Sequence, residues 1–266
     1  MPSLRLAVGP LRFEVACEDP GLAAALGRRY GPFRAGGPPD LSVAVALGAP
    51  EPAPERVAAA GPLAALAGPA MAARVDLAAG RASLLARPAA AEEAVEQLLR
   101  VACALLACDR GGLLVHAAAL ASAGRAFLFL GPSGAGKTTV ARNAAGRAVL
   151  NDDLALLWPA AGGWDVFATP FSNPTQVPPA GPASARLAAL LHLVQAPELA
   201  RTPLAPARAV AALAARAPIV GTDPARGIAL LHRARTICAI VPSATLQLRP
   251  DPDFWQLIDP APPGRL

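Results

Sequence analysis

The stretch Gly131-Pro132-Ser133-Gly134-Ala135-Gly136-Lys137-Thr138 decides how this chain is read. It meets every specified position of the phosphate-binding loop pattern G-x-x-x-x-G-K-[ST]. Ala126-Phe127-Leu128-Phe129-Leu130 before it reads as a short buried strand, and Thr139 to Ala145 after it as the first turns of a helix. The pattern has meaning only in that strand–loop–helix setting. Glycines let the backbone curl so that successive N–H groups face a phosphate chain, and a helix start adds its positive dipole end. The residues expected to line the phosphates are Gly131, Ser133, Gly134, Ala135, Gly136, Lys137, Thr138 and Thr139. In such a loop the lysine reaches the β- and γ-phosphates and the threonine hydroxyl binds Mg²⁺. The bland alternative is a glycine-rich turn that happens to hold a lysine.

Composition sharpens the point. Lys137 is the only lysine among 24 basic side chains; the rest are arginines. A compact ammonium on a flexible stem persists where a planar guanidinium would not fit. With 266 residues, the chain is expected to form one large domain or a domain plus a small one. An apolar fraction of 54% suffices for a core and excludes global disorder. The net charge is +5, but the arginines are scattered and do not interleave with aromatics, which argues against nucleic-acid binding. Cys17, Cys103, Cys108 and Cys238 form no C-x-x-C pair, so buried free thiols in a reducing compartment are expected rather than a zinc site. Met1 to Arg5 opens no signal-peptide core, and the apolar run Leu98 to Leu106 is cut by Arg100. The expectation is a soluble cytoplasmic protein without a membrane segment.

Residues 4–8 and 11–16 alternate around Gly9-Pro10 as a β-hairpin, Gly21 to Arg29 reads as a helix, and Leu41 to Leu47 as a strand. Residues 48–70, rich in Ala, Pro and Gly, read as a loop or linker with a weak helix at 55–60. Arg74 to Leu77 and Ala82 to Ala86 flank Ala79-Gly80 as a second hairpin. A small α+β unit over 1–88 is therefore expected, followed by an α/β nucleotide-binding domain over 89–266. Ala89 to Cys108 has the strongest helical periodicity, stopped by Gly111-Gly112. Leu113 to Ala118 is a strand that turns at Ser122-Ala123-Gly124-Arg125 into the strand before the loop. Ala148 to Leu150 is a strand ending in Asn151-Asp152-Asp153, and Leu154 to Trp158 continues it or starts the next. Trp164 to Ala168, the later half of Leu187 to Val194, and Ala244 to Leu248 read as strands; Pro206 to Arg216, Pro224 to Ile240 and the short Asp251 to Ile258 read as helical.

Asp152-Asp153 is the second chemical feature. The short distance from Lys137 leaves room only for the loop helix and one return strand, which puts the acidic pair at a strand end beside the loop. Adjacent carboxylates there can divide the work, one holding Mg²⁺ and the other taking a proton from an attacking hydroxyl. An Asx turn or helix cap is the structural alternative. His116 is the third feature: its strand runs next to the loop's strand, so its side chain either faces the phosphate site or is a satisfied core group.

Taken together, His116-Ala-Ala, the turn at Gly124, the loop and Leu150-Asn-Asp-Asp resemble the catalytic core of the HPr kinase/phosphorylase family, a layout shared with phosphoenolpyruvate carboxykinases. The resemblance covers roughly residues 111–172 and continues weakly to Phe254-Trp255. It implies a P-loop kinase core and ATP- and Mg²⁺-dependent phosphorylation of a serine-type hydroxyl. It implies Lys137 on the phosphates, Thr138 on Mg²⁺, Asp152 as general base, Asp153 on the metal and His116 near the phosphoryl group, with the order of the two aspartates open. Thr138 stands where true HPr kinases usually carry serine, and their downstream glycine-rich signature is missing. The chain looks more like shortened relatives that phosphorylate free serine or precursor peptides. The acceptor is thus expected to be a protein, a peptide or a small molecule, with Ser172 and Asn173 as candidate contacts; self-association stays open. A carboxykinase-like decarboxylase is the less suitable reading, because no second lysine is present. A nucleotide-binding accessory or switch in a peptide-maturation system, without transfer, is the other.

Overall fold

The computed structural model describes residues 2–171, 177, 179, 181–217, 219–249 and 251–259. The candidate acceptor contacts Ser172 and Asn173 lie outside the described residues. The chain is mixed α/β, with two mixed sheets. Backbone contacts divide it into two compact units, Met1–Arg110 with Ile219–Gly227, and Gly111–Pro218 with Ile228–Leu266.

In the first unit, β1 (Ser3–Val8) and β2 (Leu11–Cys17) form the expected hairpin. Helix α1 (Pro20–Arg29) starts where the Asp19 carboxylate accepts the Leu22 N–H at 2.7 Å and Pro20 supplies a first-turn residue that needs no donor. β3 (Leu41–Leu47) follows. Residues expected to be a linker instead form a second hairpin, β4 (Arg56–Ala60) and β5 (Leu63–Ala67). Its two-residue turn is Gly61-Pro62, with Gly61 at φ +54°, the sign that a primed hairpin turn needs at its first central residue. A remote segment pins that turn. The Asp223 carboxylate accepts the Gly61 N–H at 3.0 Å, and the buried Arg226 donates to the Gly61 carbonyl at 2.8 Å and to both oxygens of Asp109. β6 (Met71–Asp76) and β7 (Arg81–Ala86) complete a sheet ordered β1-β2-β3-β7-β6-β5-β4. Helix α2 (Ala91–Asp109), buried on almost every side, packs on β2, β6 and β7, and α1 packs on β1, β2 and α2. Its Glu96 is buried and paired with Arg29 and Arg100. Cys17, Cys103 and Cys108 are buried and Cys238, expected to be buried as well, is only half-buried; none of the four is in a disulfide among the described residues.

The second unit is built on a ten-residue strand, β8 (Leu113–Ser122). It turns directly into β9 (Arg125–Leu130), antiparallel, with Ser122 opposite Arg125. After the loop and the short helix α3 (Lys137–Arg142), β10 (Ala148–Asn151) and β11 (Leu154–Ala160) run back along the same strand. β12 (Gly163–Phe167), β13 (Ser184–Gln195), β14 (Ala200–Pro203) and β15 (Ser243–Leu248) follow, with α4 (Pro206–Ala214) and α5 (Pro224–Ile240) between the last two. β13 is strand throughout, longer than its apolar half predicts, because it pairs in parallel with β9 over residues 186–192 and with β15 on its other edge over residues 190–195. Pairing through β8, β9, β13, β12 and β11 returns to β8 and forms a closed circuit.

One face of this sheet carries Phe127, Phe129, Leu120, Leu191 and Leu246, alternating with period two along their strands. Val140 of α3 and the C-terminal Phe254, Trp255 and Ile258 close that core. Trp255, in α6 (Trp255–Ile258), stands edge-on to Phe127 and Phe129, under the Arg147 guanidinium at 4.0 Å, and donates to the Asn143 carbonyl at 2.8 Å. Asp259, buried, pairs with Arg125 and Arg147 and holds this end in place. Replacing Trp255 by Ala is expected to cost about 3–5 kcal/mol in urea unfolding, the range for deleting a fully packed aromatic.

Candidate functional site

The loop between β9 and α3 is shaped by steric limits on its glycines. A Cβ on Gly131 would lie 2.6 Å from the Ala135 methyl, so no other residue fits there without moving the loop. Gly134 and Gly136 take φ of +79° and +107°, the left-handed region that glycine enters without strain. Ala135 turns its methyl into the core, and its N–H donates to the Pro132 carbonyl at 3.2 Å, so that donor serves the loop's own turn. Ser133 and Gly134 are exposed; Thr138 and Thr139 are half-buried in the first turn of α3. Because α3 has only six residues, its dipole adds little, and the positive character of the site comes from side chains.

Two cations meet at one atom. The Lys137 Nζ donates to the Gly131 and Pro132 carbonyls, each at 3.0 Å. The Arg216 guanidinium donates to the same Gly131 carbonyl, also at 3.0 Å. Among the described residues neither cation makes an ion pair. Burial lowers the Lys137 pKa, the neighbouring Arg216 charge lowers it further, and the Asp153 carboxylate acts in the opposite sense. Arg216 is tied to the site a second way, since its own carbonyl accepts the His116 N–H at 2.8 Å. It follows α4, far from the loop in sequence, and no motif marks it.

The acidic pair sits where the register of β8 puts it. Asn151 is opposite Ala119 and Leu154 opposite His116, so Asp152 and Asp153 fall between two paired stretches of one continuous run. The Ala117 N–H donates to the Asp153 carbonyl at 2.9 Å. Asn151, fully buried, sets the local turn: its Oδ1 accepts the N–H groups of Asp153 and Leu154, each at 2.7 Å. Its Nδ2 donates to the carbonyls of Thr169 and Phe171 and to the Thr169 hydroxyl. The Asx-turn geometry and the site therefore coexist. Asn151 is a positioning residue that the acidic pair overshadows in the sequence.

The two carboxylates have different surroundings. Asp153 is partly exposed, and its Oδ1 lies 3.4 Å from His116 Nδ1. The structure thus brings His116, Asp153, Lys137 and Arg216 together at one end of β8 and β9. Asp152 is 1% exposed. Its Oδ2 accepts the Val177 N–H at 3.0 Å, while its Oδ1 is buried without a hydrogen-bond partner among the described residues. Burial raises the Asp152 pKa above the ordinary aspartate range; the Val177 N–H offsets part of this, and the Asp153 charge adds to it. A raised carboxyl pKa means the folded state holds the proton more tightly than the unfolded chain. This contribution to stability is full at low pH and is lost as pH rises through the folded pKa. Asp152→Asn is therefore expected to unfold at higher urea concentration than the native chain at neutral pH in chelator-containing buffer. The gap should close as pH falls toward the ordinary aspartate value of about 3.9.

Among the described residues no three His, Cys, Asp or Glu side chains cluster as a metal site, and no helix is long and apolar enough to cross a membrane. No curated protein matches the chain. The profile of the family described as SynChlorMet cassette protein ScmC matches residues 92–260, which contain His116, the loop, the acidic pair and Arg216. Since that match spans more than half of the chain, the protein belongs to the ScmC family of SynChlorMet cassette proteins.

Proposed function

We propose that the chain is an ATP- and Mg²⁺-dependent kinase with a P-loop core of the HPr-kinase type, transferring the γ-phosphoryl group to a serine-type hydroxyl of a protein, precursor peptide or small molecule. The observation that carries this reading is the convergence of Lys137 and Arg216 on the Gly131 carbonyl. Two cations that share one neutral acceptor repel each other, the Asp153 carboxylate offsets them only in part, and a phosphate chain supplies further counter-charge. The residues fit such a ligand: Ser133 and Gly134 are exposed, with open space where a Gly134 Cβ would stand, and a half-buried lysine sits at the base of the loop.

In this reading Lys137 and Arg216 bind phosphate oxygens, and the loop N–H groups orient them. Thr138 and Asp153 would hold Mg²⁺, which needs few protein ligands when phosphates provide the rest. The bound nucleotide supplies the phosphoryl group, and the metal neutralises its charge. His116 steadies Asp153 from 3.4 Å. Asp152, with one unpaired buried oxygen and a strengthened hold on protons, has the character of the base that takes the acceptor hydroxyl's proton. The acceptor then approaches from the side of the Val177 segment, whose N–H now occupies the other Asp152 oxygen.

The second reading is a nucleotide-binding accessory protein or switch without transfer, and the burial of Asp152 favours it, since a base must be reached by its acceptor. Transfer from labelled ATP to serine, to peptides containing serine and to candidate proteins separates the two. Lys137→Ala, Asp152→Asn and Asp153→Asn are each expected to reduce the transfer rate by about 10²–10⁴-fold, the range for removing a general base or a phosphate-stabilising group. Arg216→Lys should retain nucleotide binding but recover little of the rate, because an ammonium cannot reproduce the planar fork. Unchanged transfer in Lys137→Ala and Asp152→Asn would refute the mechanism. Tight ATP binding with no turnover on any acceptor would favour the switch.

A further inference from the structure

The seven-stranded sheet of the first unit is covered by α1 and α2 on one face only. On the other face, two central rows are mostly methyl groups. Ala16, Ala44, Ser83, Arg74, Ala65 and Ala58 lie side by side across six strands. The next row is Ala46, Leu85, Ala72, Ala67 and Arg56. Ala44, Ala46, Ala58, Ala65 and Ser83 are all exposed, with Leu63 at 57% and Leu85 at 37%. A solvated sheet face normally carries long polar side chains; one lined with alanine presents apolar surface that water wets at a cost. Two shallow troughs of about 750 and 980 Å³ lie along it, and Ala65, Arg74 and Ser83 border both.

The unpaired charges on this face are mainly basic: three arginines stand against the exposed Glu18 at the edge of the second trough and Asp76 in the first. Among the described residues the side chains of Arg56, Arg74 and Arg81 make no ion pair or hydrogen bond. Of the acids, Glu14 accepts from Arg5 at 3.0 Å and Ser3 at 3.1 Å, while Asp76, opposite Arg81 in the ladder, accepts the Ala79 N–H at 2.9 Å and keeps its charge. We propose that this face docks an acidic segment of a polypeptide partner. Its apolar side chains settle on the alanine rows, which let another backbone approach closely, and its carboxylates reach Arg56, Arg74 and Arg81. A second copy of this chain is the poorer occupant, because stacking two such faces sets unpaired arginines against each other. The proposal uses no residue of the phosphate loop and stands whether or not the chain transfers phosphate.

The test is fluorescence anisotropy on the full chain with a short labelled peptide of repeated Glu-Ala-Leu, its Lys-Ala-Leu counterpart and a labelled oligothymidine. The acidic peptide is expected to bind at least about tenfold more tightly than the basic one. Arg56→Glu combined with Arg74→Glu should weaken it about tenfold or more. Arg28→Glu combined with Arg208→Glu, exposed arginines of α1 and α4, changes net charge equally and should leave binding intact. Ala65→Gln crowds the face without altering charge, so it tests the same surface should the double reversal fail to fold, and it too should weaken binding. Lys137→Ala should bind the peptide as the native chain does. The proposal is overturned if neither peptide binds, if both bind alike, or if the oligothymidine binds more tightly. It is also overturned if both control arginines matter as much as Arg56 and Arg74, or if Ala65→Gln disperses a dimer in light scattering while the peptide is ignored.

Discussion

Strand β8 has a neighbour on each edge, and both neighbours end in chemistry. Along one edge β9 delivers the chain into the glycine loop; along the other, β10 and β11 carry Asn151, Asp152 and Asp153 past Ala119, Ala118 and Ala117. Backbone pairing therefore sets the distance between the loop and the acidic pair, and that distance cannot drift without breaking ladder hydrogen bonds. The circuit of strands through β13 and β12 reinforces the constraint. His116 belongs to β8 itself, opposite Leu154, and so inherits the same register.

On this frame the electrostatics are unbalanced in a directed way. Positive charge gathers on the Gly131 carbonyl; negative charge sits across β8, one carboxylate partly open and one shut away. Holding two like charges close and burying a carboxylate with an unpaired oxygen both oppose folding. Strain of this kind is tolerated where a ligand or a proton relieves it. The Asn151 hub, with every polar atom engaged, supplies the local stability that keeps the acidic turn in place.

Much of this was legible in the sequence, for physical reasons that differ from element to element. Gly9-Pro10 and Gly61-Pro62 make the same two-residue turn. The first is readable because large apolar residues alternate around it. The second is hidden by alanine, which suits helix, loop and strand alike, and its turn is pinned by Asp223 and Arg226 from far along the chain. The loop, His116 and the acidic pair were legible because local spacing carries them. Arg216 was not, because one arginine among many reaches Gly131 only through the fold. Likewise, which of two adjacent aspartates is buried depends on strand facing and on the Val177 N–H.

The placement of the single lysine has a chemical consequence. An acylating reagent directed at amines meets only one ε-amino group in the chain, and that group lies at the base of the loop. Burial and the Arg216 charge favour its neutral, nucleophilic form, while its two carbonyl partners and its half-buried position restrict approach. The protein thus carries an internal reporter. The rate at which one side chain is acylated reads the state of the loop directly, without an engineered label, and any anion that draws Lys137 into an ion pair registers as protection.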